Sequence, residues 1–425
     1  MDMQKRWIIL FVALLSISFL GLFYSGHEGV FTDIDSNLNF ADIAWMITAT
    51  IFVLMMTPGL SFFYGGMVRS KNVISTMLQS FIAMGVISVI WVVVGFSLAF
   101  GEDVGHFIGN PGTFFMFVNV GGATDKLLAP TIPLALYALF QMKFAIITPS
   151  LITGSFAERV RFSGYLVFMI LFCIFVYCPL AHWTWHPDGF LRQMGVLDFA
   201  GGIVVHASSG VAALAGAIFL GRRKESGQPA NIPFVLLGAA MLWLGWFGFN
   251  AGSSLAANSI AVKAFLNTNT ASATAMMTWV VFDCLRGRKP SAMGAAIGAV
   301  VGLVAITPSA GYVTVGESIF IALVVTVICN MAVSWKNKKN SFDDALDVFP
   351  THGVGGIVGT IMTGIFVYNA TENITYWQNL LNHIIAVVIV CGYTFIVTYA
   401  LYWITDKMIP MRVSEKSEKI GLDMS

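Results

Sequence analysis

Where the charges are absent constrains this chain more than any motif in it. Ten windows hold no Asp, Glu, Lys or Arg: 7–27, 43–68, 72–101, 162–187, 199–221, 264–282, 290–316, 318–335, 348–371 and 373–405. An eleventh, 226–262, is entered through Pro229 and Pro233, so its helix is placed from about Ile232. A twelfth, 127–157, is broken only by Lys143. A membrane-spanning helix needs about 20 mostly apolar residues, and each window reaches that length or nearly so. Charged residues make up 11% of the chain, against about a quarter in soluble domains, which sets a soluble fold aside. The runs are uniformly apolar, whereas an outer-membrane barrel alternates apolar and polar residues in segments of about ten. In hydrocarbon every backbone polar group needs an internal partner. The expectation is an all-α polytopic membrane protein.

The balance of 23 basic and 22 acidic residues offers no basic field for nucleic acid. Cys173, Cys178, Cys284, Cys329 and Cys391 lie in or beside apolar stretches without a CxxC pair, so neither a disulfide framework nor a metal site is expected. There is no GxxxxGK[ST] loop for a nucleotide, and no constellation for covalent catalysis. No cofactor and no enzymatic activity are expected.

Basic residues in short loops set orientation. Arg69 and Lys71, Arg159 and Arg161, Arg222 to Lys224, Arg286 to Lys289, Lys336 to Lys339, and Lys407 with Arg412 follow every second window. Those loops are assigned to the cytoplasm, so a multi-pass protein of the cell inner (plasma) membrane with a cytoplasmic C-terminus is expected. The first window, behind Lys5 and Arg6, reads either as a signal peptide or as an extra N-terminal helix within residues 1–40. The core is then eleven helices from about 41 to 406.

His206-Ala-Ser-Ser-Gly210-Val211 resembles His352-Gly-Val-Gly-Gly356-Ile357. The two segments fall in the fifth and tenth of the eleven helices. Five helices per unit is an odd number, so two copies would be inverted in the membrane. Ionisable groups inside a span are costly and read first as functional. Two facing imidazoles can share a proton, although two separate core histidines bonded to carbonyls would look the same in sequence. Asp198 opens the fifth helix eight residues before His206; it reads as a helix cap, as a negative charge that favours an incoming cation, or as both. Trp246, Phe249 and Ser253 share one helix face, either as a cation-attracting surface with a hydroxyl acceptor or as an ordinary core stripe. Lys143 is a mid-span lysine that could snorkel, pair with an acid or sit in an interface.

Taken together, Pro58-Gly-Leu-Ser-Phe-Phe-Tyr-Gly-Gly66, Gly154-Ser-Phe-Ala-Glu-Arg159, Asp198-Phe-Ala-Gly-Gly-Ile-Val-Val-His206, Gly245-Trp-Phe-Gly-Phe-Asn-Ala-Gly-Ser253, Thr307-Pro308 with Ala310-Gly-Tyr312, and Thr351-His-Gly-Val-Gly-Gly356 make the chain resemble the ammonium transporter (Amt/MEP/Rh) family from about 40 to 424. The resemblance implies an eleven-helix protomer of inverted five-helix repeats, here 41–225 and 226–370. An eleventh helix at 371–410 and a tail beginning at 411–425 would follow. It implies a homotrimer with one pore per subunit. It assigns Trp185, Phe144 and Ser253, with Trp246 and Asp198, to ammonium recruitment, Phe144 and Phe249 to a gate, and His206 and His352 to the pore. Ammonium would be deprotonated near the gate and conducted as ammonia. A PII-type regulator is the family's frequent partner.

Two departures accompany the resemblance. Lys143 stands where the family usually has an uncharged residue before the gate phenylalanine, and the family's cytoplasmic tail would be expected to run past Ser425. They keep a second reading in play: an ammonium sensor whose membrane part signals to a fused domain such as a histidine kinase.

Overall fold

A computed structural model describes residues 3–24, 35–339, 342–367 and 374–425. The first window forms α1 (Met3–Tyr24), with Phe11, Leu15, Phe19 and Leu22 exposed along it; the cleavage position considered near Ser25 lies outside the described residues. The core runs α2 (Phe40–Met67), α3 (Ser70–Phe100), α4 (Leu134–Ile152), α5 (Phe162–Gln193), α6 (Gly202–Leu220) and α7 (Ile232–Gly252). It continues through α8 (Ser259–Leu285), α9 (Ala292–Ile306) and α10 (Val315–Lys339). It closes with α11 (Phe349–Gly353 and Val354–Phe366) and α12 (Tyr376–Met408). The chain is thus an all-α membrane fold with eleven core helices, as expected.

Side-chain caps start several of these helices. Asn39, Asn231 and Asn258 accept from backbone N–H groups at the starts of α2, α7 and α8, and Ser291 and Thr375 do so for α9 and α12. Each satisfies a donor that has no partner within its own helix. Among the described residues, eight helices are both long and apolar enough to cross a membrane. α8 is long, at 27 residues, but rich in Thr, Asn and Ser. Its polar groups face neighbours: Asn267 donates to the carbonyls of Ala310 and Val313, and Ser272 to that of Ala299. Such satisfaction inside the bundle lets a less hydrophobic helix span.

Four spans contain a π-helical turn: Trp91–Gly95 in α3, Cys173–Tyr177 in α5, Gly202–Ala207 opening α6 and Phe349–Gly353 opening α11. Such turns are rare and concentrate at functional sites. The last two carry His206 and His352. α6 and α11 cross with their backbones in contact. A Cβ on Gly210 would lie 2.0 Å from the Gly353 nitrogen, and one on Gly356 would lie 2.6 Å from the Ala207 nitrogen. Glycines in both copies of the repeated segment therefore let the two π turns meet at the centre of the bundle. Around them stands one continuous apolar core that includes Leu60, Phe140, Leu151, Val204, Leu242 and Val300.

β1 (Asp103–Val104) and β2 (Ile108–Gly109) form a hairpin over the far end of α5. On the opposite, basic face the C-terminal segment folds back. After α13 (Glu415–Ile420), the Asp423 carboxylate accepts from the backbone N–H groups of Ile74 and Ser75, and Arg412 bonds the Leu220 carbonyl and Glu418.

Candidate functional site

The site begins at the hairpin-covered end of α5. His182 places Nε2 2.8 Å from Asp103 Oδ1 and Nδ1 3.0 Å from the Ala99 carbonyl. Trp183 donates to the Phe107 carbonyl. These bonds fix the last turn of α5, which carries Trp185. The Trp185 indole N–H donates to the backbone carbonyl of Asp198 at 2.9 Å, and its ring meets Phe144 edge-on at 5.8 Å. Phe144 in turn packs on Phe249 with centroids 4.3 Å apart. Ser253, one turn further out on α7, is partly open, and its hydroxyl donates to the Phe249 carbonyl. Trp185, Phe144, Phe249 and Ser253, spread over 109 positions of sequence, thus form one aromatic-lined mouth closed by two phenyl rings.

Beneath the rings lies a narrow cavity lined by Leu60, Ile147, Leu242, Val300 and both histidines. His206 and His352 are buried, with ring centroids 5.3 Å apart and Nδ1 atoms 3.2 Å apart. At that distance one Nδ1 donates and the other accepts, so the pair holds a single proton between its facing nitrogens. His206 Nε2 has no hydrogen-bond partner among the described residues. A second narrow space, lined by Tyr64, Met67, Leu346 and Thr351, meets His352.

Trp246 lies deeper than Ser253. Its ring stacks on His206 at 5.2 Å, and its N–H donates to Thr307 Oγ1 at 2.9 Å. It therefore stands beside the histidines rather than at the outer opening. Sequence reasoning noted Thr307 only as part of a motif, not as the acceptor that orients this indole.

Asp198 is 5% exposed, and its two oxygens accept four backbone N–H groups. Oδ1 takes those of Gly201 and Gly202, and Oδ2 those of Ile203 and Val204. The carboxylate is the cap of the π turn. Its reach toward the mouth is indirect, through the dipole it holds and the carbonyl that orients Trp185.

An equivalent acid had gone unnoticed. Asp344 precedes His352 by the same eight residues that separate Asp198 from His206. It is fully buried, and its Oδ2 accepts from the Phe349 N–H that opens the second π turn. Its Oδ1 has no partner among the described residues. Burial pushes its carboxyl up to about 6, with Lys336 opposing the rise. Lys336 donates to the Asp344 carbonyl and pairs with Asp347 at 2.6 Å.

Lys143, the mid-span cation, is 8% exposed, and among the described residues its Nζ has one hydrogen-bond partner, the Met142 sulfur at 3.7 Å. Ser150, two turns on and on the same helix face, meets Ser80 of α3. From the same helix Ile147 and Leu151 line the cavity beneath the phenyl rings, and Lys143 does not.

The profile described as Ammonium Transporter Family matches residues 44–425. An ammonium transporter of Aquifex aeolicus is 42% identical across 96% of this chain and 97% of its own, and that of Bacillus subtilis is 41% identical across 91% and 97%. The crystal structure of Candida albicans Mep2 superposes with a TM-score of 0.84 at 34% identity, covering 91% of this chain and 89% of the other. A structure described as a sensor Amt protein reaches 0.84 at 30% identity, covering 90% and 97%.

Proposed function

Because the chain belongs to the ammonium transporter family, we propose that it carries ammonium across the membrane by separating the proton from the nitrogen at the gate. The histidine pair carries the reading: two buried imidazoles with Nδ1 atoms 3.2 Å apart, in an apolar cavity directly under a two-ring gate. Moving an intact cation through hydrocarbon costs several kcal/mol or more. Aromatic faces at Trp185 and Phe144 attract the cation by its charge, and the Ser253 oxygen can accept one of its N–H bonds. Past the phenyl rings only the neutral amine is compatible with the lining, and it can exchange hydrogen bonds with ring nitrogens as it moves. The proton crosses separately, with the shared position between His206 and His352 as its station. Asp198 holds the π turn, and Trp246 with Thr307 fixes the tilt of His206.

On this reading the halves 41–225 and 226–370 are the inverted repeats, three protomers assemble with one pore each, and the basic face with the C-terminal segment lies in the cytoplasm, where a PII-type protein would dock. The test is ammonium-elicited current or methylammonium uptake in liposomes holding the purified protein. Uptake that saturates, and that is lost in His352→Ala, supports the proposal. The likeness to the sensor Amt structure favours the second reading, ammonium binding that signals through a fused domain. Saturable ammonium binding without any conduction would decide for the sensor.

A further inference from the structure

The end of α5 carries titratable groups that the pathway does not use. His182 and His186 lie one helical turn apart with Trp185 between them, both are buried, and their rings stack with centroids 4.4 Å apart. Fixed partners assign the protons of each ring. At His182, Nδ1 lies 3.0 Å from the Ala99 carbonyl, which can only accept, so Nδ1 bears a hydrogen. Its Nε2 lies 2.8 Å from Asp103 Oδ1, a contact that needs a second proton between the two atoms. His186 is the reverse case. Its Nδ1 accepts the Asp188 N–H at 3.1 Å, so this ring is neutral with its hydrogen on Nε2.

The backbone closes tightly around the two rings. The His186 N–H makes the final helical bond, to the His182 carbonyl, and the Gly189 N–H bonds the His186 carbonyl. A Cβ on Gly189 would lie 2.0 Å from the His182 carbonyl oxygen. The hairpin clamps the same turn from outside: Asp103 Oδ2 accepts the His106 N–H, and His106 Nδ1 donates to the Asp188 carbonyl at 2.7 Å.

We propose that His186 is a positioning residue that makes recruitment at the mouth fall as the solution on the hairpin side turns acid, because its protonation opens the turn that seats Trp185. A proton on Nδ1 places a donor against the Asp188 N–H, in a ring stacked on one that already shares a proton with Asp103. The ionisable groups that face His186 are His182 from its own helix, Asp188 from its own turn, Asp103 from the hairpin and Asp125 from the loop before α4. The carboxylates draw a proton to the site. Asp188 Oδ2 stands 3.9 Å from Nδ1, so a protonated ring gains that oxygen by releasing the Asp188 N–H. Trp185, the preceding residue, then loses the helix end that holds its indole on the Asp198 carbonyl.

The effect on uptake rests on the transport reading; the opening of the turn does not, and two measurements separate them. Trp185 fluorescence, the component missing from Trp185→Phe, is followed in the purified full chain from about pH 7.5 to about pH 4.5, which spans the ordinary histidine range. It should change in one reversible step in the parent and stay flat in His186→Asn, whose amide oxygen keeps the bond from the Asp188 N–H. Methylammonium uptake into liposomes is then compared as the ratio of His186→Asn to parent, in which the pH dependence of substrate, driving force and pore histidines cancels. That ratio should rise about tenfold per pH unit below the midpoint, the slope of a one-proton switch. A Trp185 component that is flat in the parent overturns the proposal whatever the variant does. So does a step that persists in His186→Asn, or an uptake ratio that does not change with pH. A step lost in His186→Asn, with no uptake by either protein at any pH, upholds the proposal and sinks the transport reading instead.

Discussion

Replacing Asp198 by Asn tests how the first π turn is built. The change removes a charge and keeps nearly the same volume. The amide oxygen can retain two of the four N–H bonds that the carboxylate now accepts, but its NH2 group must then face the other two donors. An orphaned buried donor costs about 1–3 kcal/mol, so two cost about 2–6 kcal/mol. Loss of the charge at the helix start adds up to about 2 kcal/mol in a buried setting. Against a total stability of about 5–15 kcal/mol for a domain, that is a large fraction. Thermal melting of the purified protein in detergent, read as loss of the monodisperse species, should fall well below that of the parent. Asp344→Asn is the internal control. One of its oxygens accepts from the Phe349 N–H, a bond an amide oxygen can keep, and the other has no hydrogen-bond partner among the described residues. That variant should melt at or above the parent temperature. Equal melting of Asp198→Asn and the parent, or equal losses in the two variants, would refute the assignment of Asp198 as a saturated cap.

Three further outcomes are expected. His206→Ala and His352→Ala should each abolish uptake while the protein melts near the parent temperature, since the rings touch a cavity rather than fill a core; ordinary uptake in either variant removes the pore from this position. Lys143→Met should leave uptake unchanged and raise stability by about 1–3 kcal/mol, the scale of burying a polar group without a good partner; a changed uptake rate would place Lys143 in the pathway. Burial lifts the Asp344 carboxyl to about 6, above the unfolded value of about 3.9. The folded state then holds the extra proton between these limits, so this group's contribution is fully present below about pH 4, falls as pH rises through about 6 and is flat above. Melting measured from pH 4 to 8 should show that slope in the parent and its loss in Asp344→Asn.

The helical spans were legible because charge is expelled from hydrocarbon, a constraint that acts on every residue of a span. α8 escaped the hydropathy criterion for a stated reason: Asn267 and Ser272 donate to neighbouring segments and Thr268 accepts from Asn250 of α7, which no single-sequence scale can see. Asp198, His206 and His352 were visible for the same reason as the spans, being ionisable groups where such groups are costly. Trp185 and Phe144 were not, because two aromatics among so many carry no signal until helices are packed; they entered through family resemblance alone. Asp344 was visible in principle. Its spacing to His352 repeats that of Asp198 to His206, but it sits among Asp343 and Asp347 at a loop, where an acid is unremarkable in a sequence. Lys143 was conspicuous for its charge, yet position along a helix does not give the side it faces.

On the proposed reading, the paired acids tell the two ends of the pathway apart. The two halves share backbone devices: a π turn bearing a histidine, an acid eight residues upstream, and glycines that let the turns touch. What surrounds each acid differs. Asp198 gives its two carboxylate oxygens to four N–H groups of its own turn and its carbonyl to Trp185, so the turn and the Trp185 indole are held together. Asp344 spends one oxygen on its turn, and among the described residues the other has no hydrogen-bond partner, with Lys336 bonded to its carbonyl and to Asp347 nearby. A fully capped turn has one low-energy arrangement, whereas a half-capped one beside a lysine and a second carboxylate has room to exchange a bond or a proton. On the proposed reading, rigidity lies at the end where the cation is selected, and adjustable polarity at the end where a proton and ammonia leave. The same backbone motif serves both because only the partners of one carboxylate differ.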